Sequence, residues 1–264
     1  MFEYGFMVRA LWVGLMIAFI APLLGQTLVL RRLSMISDAI SHATLAGIAI
    51  GMLLGINPIL SAIVTSIIGV RLVDILGKRL PDYAEVAIAI LMAIGIGLAG
   101  TLSSFVADSA NFSAFLFGSI VATTKTEVIW ISVVALVITV LYLVFYKEFF
   151  AITFDEEDAK YSGVNVKLIN ALFMLMLGIT LSIAAKTVGS LILSSLLIMP
   201  VASSLQFAKS YKTTLLWSIL FSLISMMGGL TLSFYFSLKP GGAVVLLSVV
   251  IYLVVLPLKG HRNA

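Results

Sequence analysis

Nine apolar runs, each close to the length a helix needs to cross a bilayer, confine this chain to a membrane. They lie near residues 8–30, 35–55, 58–77, 84–104, 126–146, 166–185, 187–207, 213–236 and 241–258, divided by short stretches carrying charge, Pro or Gly. At about 1.5 Å rise per residue, roughly 20 residues cover a hydrocarbon core about 30 Å thick. Hydrophobic residues make up 61% of the 264 and charged residues 11%, so little chain remains for a soluble domain. The expected fold is all-α, a single polytopic transmembrane bundle over residues 1–264 with about nine membrane helices. The first run, "FMVRALWVGLMIAFIAPLLGQTLVL", is as long as a full span and ends in no small-residue cleavage pattern, so it reads as the first helix. Residues 109–122, "SANFSAFLFGSIVA", are too few to cross and are expected to form a re-entrant or surface helix.

A net charge of +4 would suggest nucleic acid as a partner of a soluble protein, but here the basic residues occupy short loops between apolar runs. Under a nine-span parity, twelve Lys and Arg fall on one side, including Arg31, Arg32, Lys147 and Lys160. Four fall on the other, namely Arg9, Lys125, Lys186 and Lys239. The positive-inside rule then puts the N-terminus outside and the C-terminus inside a cell membrane. The chain has no cysteine, which removes disulfides, thiolate metal sites and thiol catalysis together. It contains neither His-Glu-x-x-His nor a Gly-x-x-x-x-Gly-Lys-Ser/Thr phosphate loop, so any ATP-driven work must come from a partner.

Two ionisable groups inside the second run, "SDAISHATLAG", stand out. If Arg32 marks the inner boundary, His42 lies about 15 Å further along a helix, near mid-bilayer, and Asp38 about 9 Å in. Charged or titratable groups at that depth are costly, and by default they mark a transport path or a paired site. Their spacing of four stacks them on one helix face, and a carboxylate with an imidazole suits zinc, manganese or iron. Asp38 also has a plainer explanation as a first-turn carboxylate favoured by the helix dipole, with Ser34 or Ser37 as cap. His42 could simply hydrogen-bond a neighbouring helix. One subunit supplies two good ligands where a four-coordinate site needs more, so a homodimer with its twofold axis beside this helix is expected. The other histidine, His261, reads as a solvated tail residue, and Asp82 with Glu85 reads as the cap of the fourth helix. Serines 194, 195, 203 and 204 could line a path, though small residues at helix contacts are commoner. The acidic run Asp155, Glu156, Glu157, Asp158 lies in the one sizeable inner loop, 147–167, and charge alone reads it as solvated.

The stretch "VLRRLSMISDAISHATLAGIAIG" resembles the membrane permease subunits of zinc and manganese ABC importers, in which two basic residues precede an Asp-Ala-x-Ser-His segment. The likeness extends through "FLFGSI", "FDEEDAKYSGVNV" and "AAKTVGSLILSSLLIMPVASS", and so over essentially the whole chain. Ser194 and Ser195 depart from the smaller apolar residues usual there. The resemblance implies that Asp38 and His42 are the metal-coordinating pair. It also implies that residues 153–164, with Asp155, Glu156, Glu157, Asp158, Ala159 and Gly163, form the short coupling helix that seats on the ATPase, which displaces the solvated-loop reading. The implied partners are a second copy of the chain, a cytoplasmic ATPase dimer and an extracytoplasmic metal-binding protein. The expected activity is transport by alternating access, with no resident cofactor. Zinc is the favoured ion and manganese or ferrous iron the alternative. An intramembrane metalloenzyme is the contrasting reading, for which a third ligand and a base would be needed.

Overall fold

A computed structural model describes residues 4–79, 83–106, 108–119 and 124–257; Asp82 and His261 lie outside these. Among the described residues twelve α-helices follow one another. The first four are α1 (Gly5–Leu30), α2 (Ser34–Leu54), α3 (Pro58–Arg79) and α4 (Ala84–Ser103). Next come α5 (Ser109–Phe117), α6 (Lys125–Val144), α7 (Tyr146–Phe154) and α8 (Glu156–Tyr161). The chain continues through α9 (Val166–Val188), α10 (Ser190–Ser204), α11 (Tyr211–Phe236) and α12 (Pro240–Val255). Seven of them (α1, α2, α3, α4, α6, α9 and α11) are long and apolar enough to cross a membrane. Helices satisfy their own backbone polar groups, which is the condition for lying in hydrocarbon.

The two remaining apolar runs are shorter than the sequence suggests. Helix α10 has 15 residues and α12 has 16. In α10 the reason is a break: Gly189 has φ +99° and ends α9, so helix restarts only at Ser190. A Cβ at Gly189 would lie 2.6 Å from the Phe117 carbonyl carbon, so the break is where the end of α5 is received. Backbone bonding joins the same place, Ser119 N–H donating to the Lys186 carbonyl at 3.2 Å. Helix α5 is the short element expected at 109–122, and α10 is packed among α1, α2, α9, α11 and α12. A helix enclosed by protein in this way needs no match to the lipid thickness.

Helices α1 and α2 form the interior, 72% of each hydrophobic window being buried, against 22% for α3 and for α6. α1 packs on α6, α10 and α11, while α2 packs chiefly on α3 and α4 and also on α9 and α10. Because lipid tails are as apolar as Leu, such helices are held by close packing and by polar contacts between them. One such polar contact is the 2.8 Å hydroxyl pair Ser204–Ser218 between α10 and α11; Ser194, Ser203 and Ser204 are all buried at helix contacts. At one end of the bundle, buried Tyr142 stacks on Phe149 and shares a 3.0 Å hydroxyl contact with Tyr211, whose carbonyl accepts from Gln26 at 2.8 Å. This cluster fastens α6 and α7 to α1 and α11.

Close packing makes one substitution decisive. An added Cβ at Gly25 of α1 would lie 2.0 Å from the Leu197 carbonyl oxygen of α10, a backbone atom that cannot swing aside. Gly25→Ala is expected to cost about 1–3 kcal/mol by forcing the helices apart. Gly77→Ala meets nothing within 4 Å and should be neutral or gain up to about 1 kcal/mol of helix propensity. Thermal unfolding in detergent checks the contrast: Tm should drop for the first and hold or rise for the second.

Candidate functional site

The turn before α2 sets where its polar residues lie. α1 ends in a Schellman motif, with Arg32 N–H bonding the Val29 carbonyl and Leu33 N–H the Leu28 carbonyl. The left-handed position of that motif is filled by Arg32, with φ +59°, where Gly or Asn is usual. Helix α2 then starts at Ser34 with Leu33 as N-cap and no side-chain cap, the Ser37 hydroxyl bonding back to the Ser34 carbonyl instead. Asp38 is the fifth residue of the helix, beyond its first turn. The plainer reading of Asp38, as a first-turn carboxylate below a serine cap, therefore does not describe this helix.

Asp38 and His42 are both half-buried and one turn apart, close enough for the carboxylate to act electrostatically on the imidazole. The next flank of α2, Ser37, Ser41 and Thr44, is buried against the bundle. The backbone at His42 is backed by α4: a Cβ at Gly95 would lie 2.7 Å from the His42 carbonyl carbon and 2.8 Å from the Ala43 nitrogen. On α3, the side of Thr65 fills the space beside Gly47, 2.0 Å from where a Cβ would be. Small residues thus hold α2 between α3 and α4 while its Asp38 and His42 keep partial access. Among the described residues, no group of three or more His, Cys, Asp or Glu side chains could hold a metal ion. Asp38 and His42 offer two ligands of borderline hardness, enough to hold an ion briefly but too few for a closed tetrahedral cage.

The expected inner loop is mostly helical. Phe149, Ile152 and Thr153 of α7 face the core, since their spacing places them on one side of a helix. Asp155 caps α8, its carboxylate accepting from the Glu157 and Asp158 N–H groups at 2.8 and 3.0 Å. Gly163, at φ +86°, closes α8 with another Schellman turn in which Val164 N–H bonds the Ala159 carbonyl. Ala159 is 2% exposed and anchors the helix, while Glu157, Asp158, Lys160 and Tyr161 point outward. Of the six residues expected in the coupling segment, Asp155, Ala159 and Gly163 build the helix, and Glu157 with Asp158 forms its free acidic face.

Glu156 has a different occupation. Its carboxylate pairs with Arg31 Nη2 and accepts from Asn170 Nδ2 at 3.2 Å, while Arg31 Nη1 donates to Asn170 Oδ1 at 2.8 Å. Burial lowers the Arg31 pKa below the ordinary guanidinium value, against a raising effect of the Glu156 charge. Sequence reasoning treated Arg31 as a topology marker and missed Asn170, because the three residues are far apart in the chain. A second cross-link, Glu127–Lys186, ties α6 to α9 beside the Gly189 break, with the N–O distance 2.5 Å. Nearby, the Lys239 ammonium sits 3.8 Å from the centre of the Phe117 ring.

The model of the ABC 3 transport family matches residues 3–259. The chain belongs to the ABC 3 transport family. A probable metal transport system membrane protein of Treponema pallidum is 35% identical over 260 residues, covering 98% of this chain and 97% of that one. The high-affinity zinc uptake system membrane protein ZnuB of Haemophilus influenzae is 28% identical, with 96% of each chain covered. The manganese transport system membrane protein MntC of Listeria innocua is also 28% identical, covering 96% of this chain and 90% of that one. Among solved structures, PsaBC from Streptococcus pneumoniae in complex with Fab matches with a TM-score of 0.88 at 27% identity, over 96% of this chain and 91% of the other. This ABC 3 chain is thus a multi-pass membrane permease, the transport component of a system in which a separate subunit hydrolyses ATP.

The ends of α8 can be tested apart from transport. Gly163→Ala meets no atom within 4 Å, so its expected cost of about 1 kcal/mol comes from the left-handed backbone alone, and Gly163→Asn should cost less. Asp155→Ala should cost about 1 kcal/mol by uncapping the helix. Hydrogen exchange in the α8 amides should speed up for Gly163→Ala and Asp155→Ala, with Gly163→Asn nearer the native rate.

Proposed function

We propose that this permease imports a divalent transition metal, zinc first and manganese or ferrous iron as the alternative, through a homodimeric pathway that works by alternating access. The single observation that carries the reading is the Asp38 and His42 pair, half-buried on one turn of an interior helix. Ionisable side chains are costly in such a helix unless they serve a path or a partner. Two ligands from one chain call for more donors, and a second copy facing α2 across a twofold axis would supply two carboxylates and two imidazoles. Sparse coordination suits an ion that must leave again. Relatives named for zinc and for manganese match the chain at the same 28% identity, in keeping with a donor set that accepts either.

In this reading all nine apolar helices cross, the enclosed α10 and the α12 helix included, with the N-terminus outside and the C-terminus inside. The Lys and Arg distribution of twelve against four supports that orientation. α8 then lies on the inner side, where its exposed Glu157 and Asp158 would meet the ATPase, and an extracytoplasmic metal-binding protein would deliver the ion at the opposite face. Residues 1–264 act as one permease domain.

Replacing Asp38 or His42 by Ala is expected to abolish uptake of radiolabelled zinc by membrane vesicles while the ATPase still copurifies; normal uptake by either variant sinks the assignment. In the same assay, excess unlabelled zinc should compete better than manganese, and the reverse order would move the assignment to manganese. Because the chain has no cysteine, sidedness is open to single-cysteine labelling. Ser162→Cys should react with a membrane-impermeant maleimide only from inside, and Ser237→Cys only from outside.

A further inference from the structure

We propose that Arg31, Glu156 and Asn170 form a clamp that transmits movement of α8 to the base of α2, and so couples ATPase action to the Asp38 and His42 pair; this rests on the reading of α8 as the ATPase-docking element. The three side chains bond one another in a closed triangle, and each comes from a different part of the chain. Arg31 belongs to the turn that starts α2, Glu156 is the first residue of α8, and Asn170 lies in the first turns of α9. The Arg31 side chain is 12% exposed and the Glu156 side chain 46%, so one end of the pair is held in the bundle and the other reaches the outer helix.

Apart from Glu156, α8 is fixed to the bundle only lightly. It is six residues long, Ala159 is its buried residue, and its other side chains point outward. A push on α8 therefore has two polar routes inward, to α9 through Asn170 and to the α1–α2 turn through Arg31. The second route ends beside Arg32, whose left-handed backbone is the break between the two interior helices, and six residues later α2 presents Asp38. Helix α2 is unbroken from Ser34 to Leu54, so a shift at its foot is carried to Asp38 and His42. Arg31 is thus a positioning residue, acting on the ion through the placement of α2.

The test uses the whole transporter, permease with its ATPase and binding protein, reconstituted in liposomes with zinc and with manganese. Arg31→Gln and Asn170→Leu should lower ions moved per ATP hydrolysed by about tenfold while hydrolysis without metal continues. Arg31→Lys, and the charge swap Arg31→Glu with Glu156→Arg, should each recover most of the ratio. A brace with no transmitting role gives a different result: transport and hydrolysis fall together with assembly, so that the ratio stays at its native value. That outcome overturns the clamp, as does an unchanged ratio in Arg31→Gln. The docking reading has its own arm. Glu157→Lys with Asp158→Lys should reduce copurification of the ATPase, and full retention overturns the docking role of α8 whatever the clamp variants do.

Discussion

Gly95 and Gly47 let α4 and α3 approach α2 to distances that leave no room for a side chain, and the enclosure of α2 between them follows from that approach. In a bilayer, apolar side chains gain little by leaving lipid for one another, so helices associate where small residues allow many close contacts. With α3 and α4 drawn in, the Ser41 and Thr44 flank is buried and the Asp38 and His42 flank keeps partial access. A bulkier residue at Gly95 would shift the His42 backbone itself, so the placing of Asp38 and His42 depends on a glycine of another helix.

Charge does at the ends of the bundle what small residues do in its middle. Arg31, Glu156 and Asn170 tie the inner helices to α8 and α9, and Glu127 with Lys186 ties α6 to α9 beside the α5 end. Such pairs are worth little when fully exposed, but these are partly buried and hydrogen-bonded to a third group, which fixes their geometry. The aromatic cluster around Tyr142 and Tyr211 adds packing to the same end as α7. A transporter needs stiff helices joined by a few points that can move, and α8, light in contacts and capped at both ends, has the form of such a point.

How much was legible varies with the range of the interaction. Asp38 and His42 could be singled out from depth and a spacing of four, since both depend only on helix pitch. That the acidic segment at 155–158 opens a short helix was legible only through its resemblance to coupling helices; its charge alone suggested a solvated loop. The division of labour there was hidden, because a capping Asp155 and an ion-paired Glu156 look alike in a row of acids. Gly189 cut the run at 187–207 to a 15-residue helix for a reason that lies in another element, the end of α5. The serine cap suggested for α2 failed because Ser37 finds the Ser34 carbonyl within its own helix.

By itself the sequence determined that the chain is a membrane bundle of helices, and roughly where each begins and ends, since hydropathy and backbone satisfaction act within single segments. It also determined which turn of α2 carries the two ionisable groups. Only the tertiary structure decided which helices are interior, which glycines are contact points, and that Arg31 meets Glu156 and Asn170. Those outcomes depend on the three-dimensional approach of residues on different helices, more than a hundred positions apart for Arg31 and its partners, and a helical periodicity reaches only a few residues along its own axis.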